Sequence, residues 1–353
     1  MPTLLHPRAT GFDISSESLK LVELSLHRGK LKLGLFDEVF FPRGYIERGE
    51  IKEREQLTKF LSEVRKKHDI KYIVASLPEE RSYIFNIKIP YVEPKDIRTS
   101  VELSLEEHVP MPPNTTTVDY SVIGYNAETD MLEANISVLP KELVDSYFSL
   151  FEDAGFSPLV FEVEAQALAN TIIPQGDTGT FMIVDFGHSR TGFSIIMKGR
   201  VVFNATLDFG GREITEAITR DLKISYEDAE KIKLERGIRR DGADDLFIAS
   251  MPSLTVLKDE INKYFAYWNE KSVKEGKKDM IEKIYFTGGS ATLKGFAEFM
   301  AGYLTIPFVL GNPWVNIFSV ENEIPKISKD DSIRYAVAIG LALGYTTYGK
   351  FTS

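Results

Sequence analysis

Apolar and polar positions alternate in short blocks between Gly11 and about Ile89. Runs with the two-residue period of a strand occur at FDISS, LKLVEL, KLKLGLFDEVFF and YIVASLP. Before the last of these runs, the charged segment EREQLTKFLSEVRKKH has the apolar spacing of a helix. The pattern therefore predicts an α/β unit.

The pattern of apolar and polar positions changes from about Val92 to Val163. It predicts two helices, PKDIRTSVELSLEEH and KELVDSYFSLFEDAG, and two strands, TVDYSVIGY and MLEANISVL. The prolines Pro110, Pro112 and Pro113 predict a stiff, non-helical connector. We expect a small α/β module inserted into the first unit.

A second α/β unit begins at Gly179 with a hairpin. Helical patterns follow at GREITEAITRDL, at SYEDAEKIKLERG and from Leu257 to Glu275. The strand KIYFTGGS comes next, and a further helix should begin near Leu293. The opening hairpin, IVDFGHSRTGFSIIM, resembles the first hairpin of the chain, GFDISSESLKLVEL.

The two hairpins share an order of features. In each, an apolar strand ends at an aspartate, Asp13 or Asp185, before a turn of small and hydroxyl residues. The returning strand then reaches a basic-Gly-basic tip, with Gly29 in the first hairpin and Gly199, two residues sooner after its aspartate, in the second. Any two hairpins share turn residues, but the repeated aspartate favours an internal repeat.

Composition narrows the function classes. The chain has 353 residues, 43% of them hydrophobic, and should bury a large core in two or three compact units. The net charge of −10 argues against nucleic acid as a partner, because phosphate binding needs a basic face. The absence of cysteine excludes disulfides, thiolate metal sites and cysteine nucleophiles, and is compatible with a reducing compartment.

The two ends of the sequence predict a cytoplasmic protein. MPTLLHPRAT has no long apolar core, and no later stretch reaches the roughly 20 apolar residues of a membrane span. YAVAIGLALGYTTYGKFTS carries neither a flexible linker nor a basic amphipathic tail. We therefore expect contact with the membrane only through a partner.

The repeated turns have residue types that suit phosphate binding. Glycine and serine allow backbone N–H groups to approach an anion, hydroxyls add donors, and a carboxylate can hold Mg²⁺ through waters. Two such turns facing each other would hold a polyphosphate. One turn would supply Asp13, Ser15, Ser16, Ser18 and Lys20, and the other Asp185, Gly187, Ser189 and Thr191. Lys20 adds a positive charge, although a surface lysine is the simpler interpretation of that residue taken alone.

A third segment, YFTGGSATLKG, places Gly288, Gly289 and Ser290 directly after a strand. Together, D-x-S-S-x-S-x-K, D-x-G-x-x-x-T and strand-T-G-G-S resemble the two phosphate motifs and the adenosine motif of the actin-like ATPase superfamily. The inserted module is similar to that of the FtsA and PilM branch. VASLPEERSYIFNIKIP, FEDAGFSPLVFEVEAQALAN, LDFGGREITEAI, ISYEDAEKIKL, FTGGSATLKGFAEFM and AIGLALGY resemble the PilM family of type IV pilus assembly proteins over nearly the whole chain.

This resemblance implies roles for individual residues. Asp13 and Asp185 would hold the magnesium of a bound ATP, and Lys20 would contact phosphate. Gly210 and Gly211 match a glycine pair at the start of the outer subdomain, while Glu230 and Lys233 would approach the adenosine, although an ordinary i,i+3 surface ion pair is the simpler interpretation of these two. Glu164 matches an acidic residue that orients the attacking water. Ser15 stands where the family commonly has glycine, so at most slow hydrolysis is expected.

The fold implied is an actin-like α/β fold, with two ribonuclease-H-like halves around a nucleotide cleft and the small module inserted in the first half. The first subdomain would comprise 1–90 with 161–178 and 336–353, and the inserted module 91–160. The second subdomain would comprise 179–210 and 283–335, and the outer, nucleotide-side subdomain 211–282.

The function implied is an ATP-binding scaffold of the type IV pilus, or a related secretion system, at the inner membrane. Its partner would be the N-terminal cytoplasmic tail of a bitopic, PilN-like membrane protein, bound in a groove lined from Pro90 to Val163, along the two strands of the module. Self-association is left open. An FtsA-like cell-division protein and a small-molecule kinase of the same superfamily are the alternatives.

Overall fold

The computed structural model describes residues 7–239, 244–276, 279–318 and 325–348. Residues 1–6, 240–243, 277–278, 319–324 and 349–353 lie outside the described residues. They belong to the ranges predicted for the first, second and outer subdomains. The chain forms two compact units. Unit 1 comprises 1–167, 201–204 and 337–353, and unit 2 comprises 168–200 and 205–336.

Strands and helices alternate along both units. The strands are Thr10–Ile14 (β1), Ser18–His27 (β2), Lys30–Phe40 (β3), Ile46–Glu47 (β4), Glu50–Ile51 (β5), Tyr72–Leu77 (β6), Tyr83–Pro90 (β7), Thr116–Asn126 (β8), Met131–Pro140 (β9), Ser157–Val163 (β10), Thr180–Phe186 (β11), Thr191–Met197 (β12), Arg200–Leu207 (β13), Lys283–Thr287 (β14) and Phe308–Leu310 (β15). The helices are Arg54–His68 (α1), Ile97–Ser104 (α2), Lys141–Asp153 (α3), Glu164–Ile172 (α4), Gly211–Leu222 (α5), Tyr226–Arg236 (α6), Asp244–Lys274 (α7), Phe296–Ala301 (α8), Lys329–Ser332 (α9) and Ala336–Tyr348 (α10).

The main sheets repeat one topology. The first has the order β10-β6-β1-β2-β3, and the second has the order β13-β12-β11-β14-β15. In each, the opening strand pairs antiparallel with the next strand of the chain and parallel with a later strand, β6 or β14. The outer strand after that, β10 or β15, is also parallel. The predicted α/β class and the predicted repeat are confirmed.

The repeat is closest at the aspartate end of each hairpin. Asp13 pairs with Lys20 and Asp185 pairs with Gly192, so in both hairpins the partner lies seven positions later. The difference in hairpin length therefore lies beyond the turn. It falls in β2, which has 10 residues against 7 in β12.

The far tips of the hairpins are also alike. Arg28 and Gly29 have φ of 50° and 80°, and Lys198 and Gly199 have φ of 53° and 74°. Two successive residues with positive φ form the tight turn whose twist suits a two-residue hairpin loop. The glycines adopt this conformation without steric cost.

The inserted module is a three-stranded sheet with the order β7-β9-β8, covered by α2. Its core includes Ile87, Val101, Leu105 and Ile136. Strand β7 pairs with β9 of this sheet, although its residues lie in the range 1–90 that was predicted for the first subdomain. Strand β10 begins at Ser157, inside the range 91–160 predicted for the module, but it pairs with β6 of the first main sheet. Of the two strands along which the peptide groove was predicted, β9 is paired on both sides and offers no free edge. In the described part of unit 1, β8 pairs with β9 alone.

Two helix boundaries differ from the sequence-based prediction. Helix α7 begins at Asp244, well before Leu257, and contains Pro252 in its interior. A proline in a helical pattern normally indicates a boundary. Helix α8 begins at Phe296, because Gly289–Thr292 form a 3-10 turn and Gly295 takes a φ of +89°.

Helix α10 is held in unit 1 by two close backbone contacts. A Cβ on Gly11 of β1 would lie 2.3 Å from the Ala338 carbonyl oxygen, and a Cβ on Gly340 would lie 1.9 Å from the Ala167 carbonyl oxygen at the start of α4. Real Cβ atoms do not come so close to backbone. The two glycines therefore allow a strand and two helices to meet at backbone contact.

Candidate functional site

The first turn joins β1 to β2 in unit 1. The Ser15 backbone N–H donates to the Ser18 carbonyl oxygen over 2.9 Å, and the Ser18 N–H donates to Ser15 Oγ over 3.2 Å. Ser15 Oγ also lies 3.1 Å from both Ser18 O and Ser18 Oγ. Ser15 thus uses its hydroxyl to close the turn.

Lys20 is enclosed beside this turn. Its Nζ lies 3.7 Å from Asp13 Oδ2 and 3.9 Å from Glu38 Oε1, and donates to Ser18 Oγ over 3.2 Å. Its side chain is only 13% exposed, so it is not an ordinary surface lysine. Asp13 is buried. The turn therefore holds one cationic and two anionic groups side by side, and sequence reasoning missed Glu38 because it lies on the neighbouring strand.

The second turn joins β11 to β12 in unit 2. Asp185 is the penultimate residue of β11, and its Oδ1 accepts a hydrogen bond from Thr287 Oγ1 over 2.9 Å. The Gly187 N–H donates within the turn, to the carbonyl oxygens of Asp185 and Arg190. Thr191 is fully buried, and its hydroxyl donates to the Phe209 carbonyl oxygen. In this structure the Thr191 hydroxyl supports the turn from inside.

Donors from two other segments hold the carbonyl groups of the second turn. Gly187 O accepts from the Gly211 N–H over 3.0 Å and from Ser290 Oγ over 2.8 Å. His188 O accepts from the Arg212 N–H over 2.8 Å. The first N–H groups of α5 are therefore engaged with the turn. The glycine pair and the third motif meet the second phosphate motif directly.

Glycine is required where these segments approach. A Cβ on Gly210 would lie 2.5 Å from His188 O, and a Cβ on Gly211 would lie 2.2 Å from Ser290 Oγ. Gly288 has a φ of +84°, and its Cβ would lie 2.4 Å from Phe186 O. At Gly289, by contrast, an added Cβ meets no described atom within 4 Å.

Lys233 lies in the interior of unit 2. Only 2% of its side chain is exposed, and its Nζ lies 2.9 Å from Gly211 O, 2.7 Å from Thr215 Oγ1 and 2.7 Å from Glu230 Oε2. An ammonium group has three donors, and here three protein acceptors take them. Burial lowers the pKa of Lys233 from its ordinary value, and Glu230 only partly opposes this. In this structure Lys233 is buried and donates to Gly211 and Thr215 of α5, so it is not one half of a surface ion pair.

Glu230 is the more accessible member of the pair, with 26% of its side chain exposed. It also accepts a short hydrogen bond from Thr215 Oγ1. Burial by itself would raise the pKa of Glu230, but the hydrogen bond and charge of Lys233 outweigh it and hold that pKa below its ordinary value. Glu230 is therefore an ionised, partly exposed hydrogen-bond acceptor in unit 2.

The remaining predicted residues are placed as follows. Glu164 begins α4 and is 3% exposed. Ser16 and Ser189 lie in the first and second turns and have interactions with other groups of the protein. Glu38 and Thr215 were not named from the sequence, and Thr287 was named only as part of the third motif; each contacts a predicted site residue. Only Thr287 had a sequence signal, as the residue directly before the glycine pair.

The carboxylates fit a nucleotide-bound magnesium better than a metal held by protein alone. Among the described residues, no three His, Asp or Glu side chains converge as a metal site would require. Mg²⁺ in nucleotide sites takes only one or two carboxylates and completes its shell with phosphates and waters. Asp13 in unit 1 and Asp185 in unit 2 each stand one residue before the end of a strand, and each offers a single carboxylate of the kind that such a site uses.

Unit 1 has a separate cavity of about 680 Å³ beside the inserted module. It is lined by Met111, Thr115, Pro140, Lys141, Glu142, Asp145, Ser146 and Ser149. Arg54 supports this part of α3, because it donates to Ser146 O and Ser149 Oγ and pairs with Asp153 over 2.7 Å. The cavity is a concave site with two carboxylates and one lysine in its lining.

No helix in the described residues combines the length and apolar character needed to cross a bilayer.

Comparison with known proteins gives one match to a family model. The model described as type IV pilus assembly protein PilM matches residues 11–345. Among curated proteins, the cell division protein FtsA of Staphylococcus epidermidis is 23% identical over 190 residues, which cover 48% of this chain and 40% of that protein. The chain therefore matches about two fifths of the length of this curated relative.

Solved structures give a longer match. A chain from the PilM-PilN type IV pilus biogenesis complex has a TM-score of 0.80 at 21% identity, over 96% of this chain and 99% of that chain. MreB5 of Spiroplasma citri bound to ADP has a TM-score of 0.59 at 10% identity, over 97% and 98% of the two chains. These likenesses confirm the predicted actin-like ATPase fold.

Proposed function

The chain belongs to the family of the type IV pilus assembly protein PilM, and we propose that it is a nucleotide-binding scaffold of the type IV pilus assembly complex at the inner membrane. The observation that carries the proposal is the family match over 11–345, together with the full-length likeness to a chain of the PilM-PilN complex. We propose that the protein stays in the cytoplasm and reaches the membrane through a protein partner.

The proposed nucleotide is ATP with magnesium. The support is chemical: each unit has a turn of small residues after a strand whose penultimate residue is aspartate, and unit 2 adds the partly exposed carboxylate of Glu230. MreB5 of Spiroplasma citri, which shares the fold, is bound to ADP in its structure. Asp13 and Asp185 would hold the magnesium through waters, and Lys20 would neutralise phosphate charge. The metal would neutralise part of the negative charge of the phosphate groups.

The proposed turnover is slow, well below the typical enzyme rate of about 10 per second. Glu164 is the residue that we propose orients the attacking water. Glu164→Gln keeps the size of the buried side chain but removes its charge, so hydrolysis should fall about tenfold or more while ATP affinity stays within about threefold. Phosphate release and equilibrium binding measure the two quantities. Fast turnover in the wild type, or full turnover in the variant, would contradict this role.

The proposed partner is the N-terminal cytoplasmic tail of a PilN-like bitopic membrane protein. The solved complex contains PilN, and the 680 Å³ cavity of unit 1 lies within the range 90–163, where a peptide groove was expected. Glu142 and Asp145 outnumber the one lysine, Lys141, so the lining has a net negative charge, which suits a tail with basic side chains. Extended peptides dock in such clefts through backbone hydrogen bonds and a few side-chain pockets.

A charge reversal on α3 tests this site. Asp145→Lys should weaken binding of the synthetic tail peptide about tenfold or more, because the new ammonium lies in the cavity and repels basic side chains. Glu152→Lys makes the same change in charge on the same helix, outside the cavity lining, and should change the affinity less than twofold. Isothermal titration calorimetry measures both. Equal effects, or no heat with the wild-type protein, would place the partner site elsewhere.

The cell-division alternative has weaker support. The FtsA match covers only 48% of this chain at 23% identity, whereas the pilus family model covers nearly all of it. Binding of the pilus tail peptide is therefore the experiment that decides between the two functions.

A further inference from the structure

Strand β14 ends at a threonine whose hydroxyl is directed at a proposed magnesium-binding carboxylate. Thr287 is fully buried, and its Oγ1 donates to Asp185 Oδ1 over 2.9 Å. Strands β11 and β14 are parallel neighbours, and Asp185 and Thr287 are direct partners in their register. The contact is therefore set by the sheet and does not depend on a mobile loop.

The next residue restricts the same oxygen. A Cβ on Gly288 would lie 2.8 Å from Asp185 Oδ1, closer than a side chain can approach without displacing it. Glycine at this position leaves room for the carboxylate where it stands, and the Thr287 hydroxyl holds it there. Two consecutive residues thus restrict the orientation of the Asp185 carboxylate.

We propose that Thr287 is a positioning residue that orients the Asp185 carboxylate toward the magnesium of a bound nucleotide. This inference rests on the proposed function, in which Asp185 contributes to Mg-ATP binding. A hydrogen bond to an ionised carboxylate is stronger than a neutral one. Without it the carboxylate can rotate about its side-chain bonds, and the geometry needed for a water-mediated metal contact is populated less often.

The methyl group of Thr287 makes a separate packing contact. Its Cγ2 would lie 3.1 Å from a Cβ added at Gly311, so it packs close to that backbone. The hydroxyl and the methyl can therefore be removed separately. Thr287→Val replaces the hydroxyl but keeps a methyl, and Thr287→Ser removes the methyl but keeps the hydroxyl.

The experiment is a titration with a fluorescent ATP analogue, once in excess Mg²⁺ and once in EDTA. Thr287→Val should bind about three- to tenfold more weakly than the wild type in Mg²⁺ and equally well in EDTA. Thr287→Ser should stay within about twofold in both. Should Thr287→Val not fold, Thr287→Ala is compared with Thr287→Ser, since that pair differs in the hydroxyl alone.

The outcomes separate this inference from the proposed function. Unchanged affinity of Thr287→Val in Mg²⁺, while Asp185→Ala binds weakly, overturns the positioning role and leaves the proposed function standing. An equal loss in Mg²⁺ and in EDTA indicates a general structural effect and also overturns it. If Asp185→Ala binds as the wild type does, the assignment of Asp185 and the role of Thr287 fall together.

Discussion

A Gly340→Ala variant is expected to be less stable than the wild type by about 3 kcal/mol, or not to fold. The new Cβ would lie 1.9 Å from the Ala167 carbonyl oxygen and 2.6 Å from its carbonyl carbon. Both atoms are backbone, so the clash cannot be relieved by rotating a side chain. Relief requires α10 to move away from α4, which opens the core of unit 1. Urea unfolding followed by circular dichroism measures the loss.

Gly124→Ala is the matched control. Gly124 has no described atom within 4 Å of an added Cβ and has no positive φ. Its replacement should change the free energy of unfolding by less than about 0.5 kcal/mol. A Gly340→Ala protein as stable as this control would show that the junction of α4 and α10 tolerates a side chain.

Asp13→Ala and Asp185→Ala are each expected to weaken Mg-ATP binding by about tenfold to a hundredfold, or roughly 1 to 3 kcal/mol. Each variant removes one of the carboxylates proposed for the magnesium shell. In Asp13→Ala, Lys20 keeps Glu38 at 3.9 Å, so the lysine is not left unpaired. Titration with a fluorescent ATP analogue measures the affinities.

Asp259→Ala serves as the control for both variants. Its carboxylate is 64% exposed on α7 and pairs only with the neighbouring Lys258 among the described ion pairs. Its removal should leave the affinity within about twofold. Unchanged affinity in both folded site variants would remove the basis for assigning the two turns to a nucleotide.

The hairpins and most helices were predictable because their signals are local. Strand alternation, a basic-Gly tip and an amphipathic period depend on neighbours in the sequence. The start of α7 was not predicted: the helix begins at Asp244, ahead of Leu257, and continues through Pro252, a residue type that normally ends a helix. The pairing of β9 on both sides was not predictable either, since strand neighbours are chosen by contacts far apart in the chain.

In the candidate site, too, local features could be predicted from the sequence, and contacts between distant residues could not. The aspartates and glycines could be named from the sequence because they stand at strand ends and in turns. Their partners could not: Glu38 reaches Lys20 and Thr287 reaches Asp185 only through the register of neighbouring strands. The burial of Lys233 was also hidden, because an i,i+3 pair with Glu230 has the same spacing on a surface and in a core.

The equal length of the two turns bears on how such a chain tolerates insertions and deletions. The register of β2 against β3 shifts between Val22 and Leu24, which lie between the aspartate-bearing end of the first hairpin and its tip. A residue gained or lost beyond that shift moves the loop at Arg28 and Gly29, while the pairing of Asp13 with Lys20 is preserved. One inserted between Asp13 and Lys20 would turn every later side chain of β2 to the opposite face. The two copies therefore differ in the length of the returning strand, while the spacing from the aspartate to its partner across the turn is the same in both.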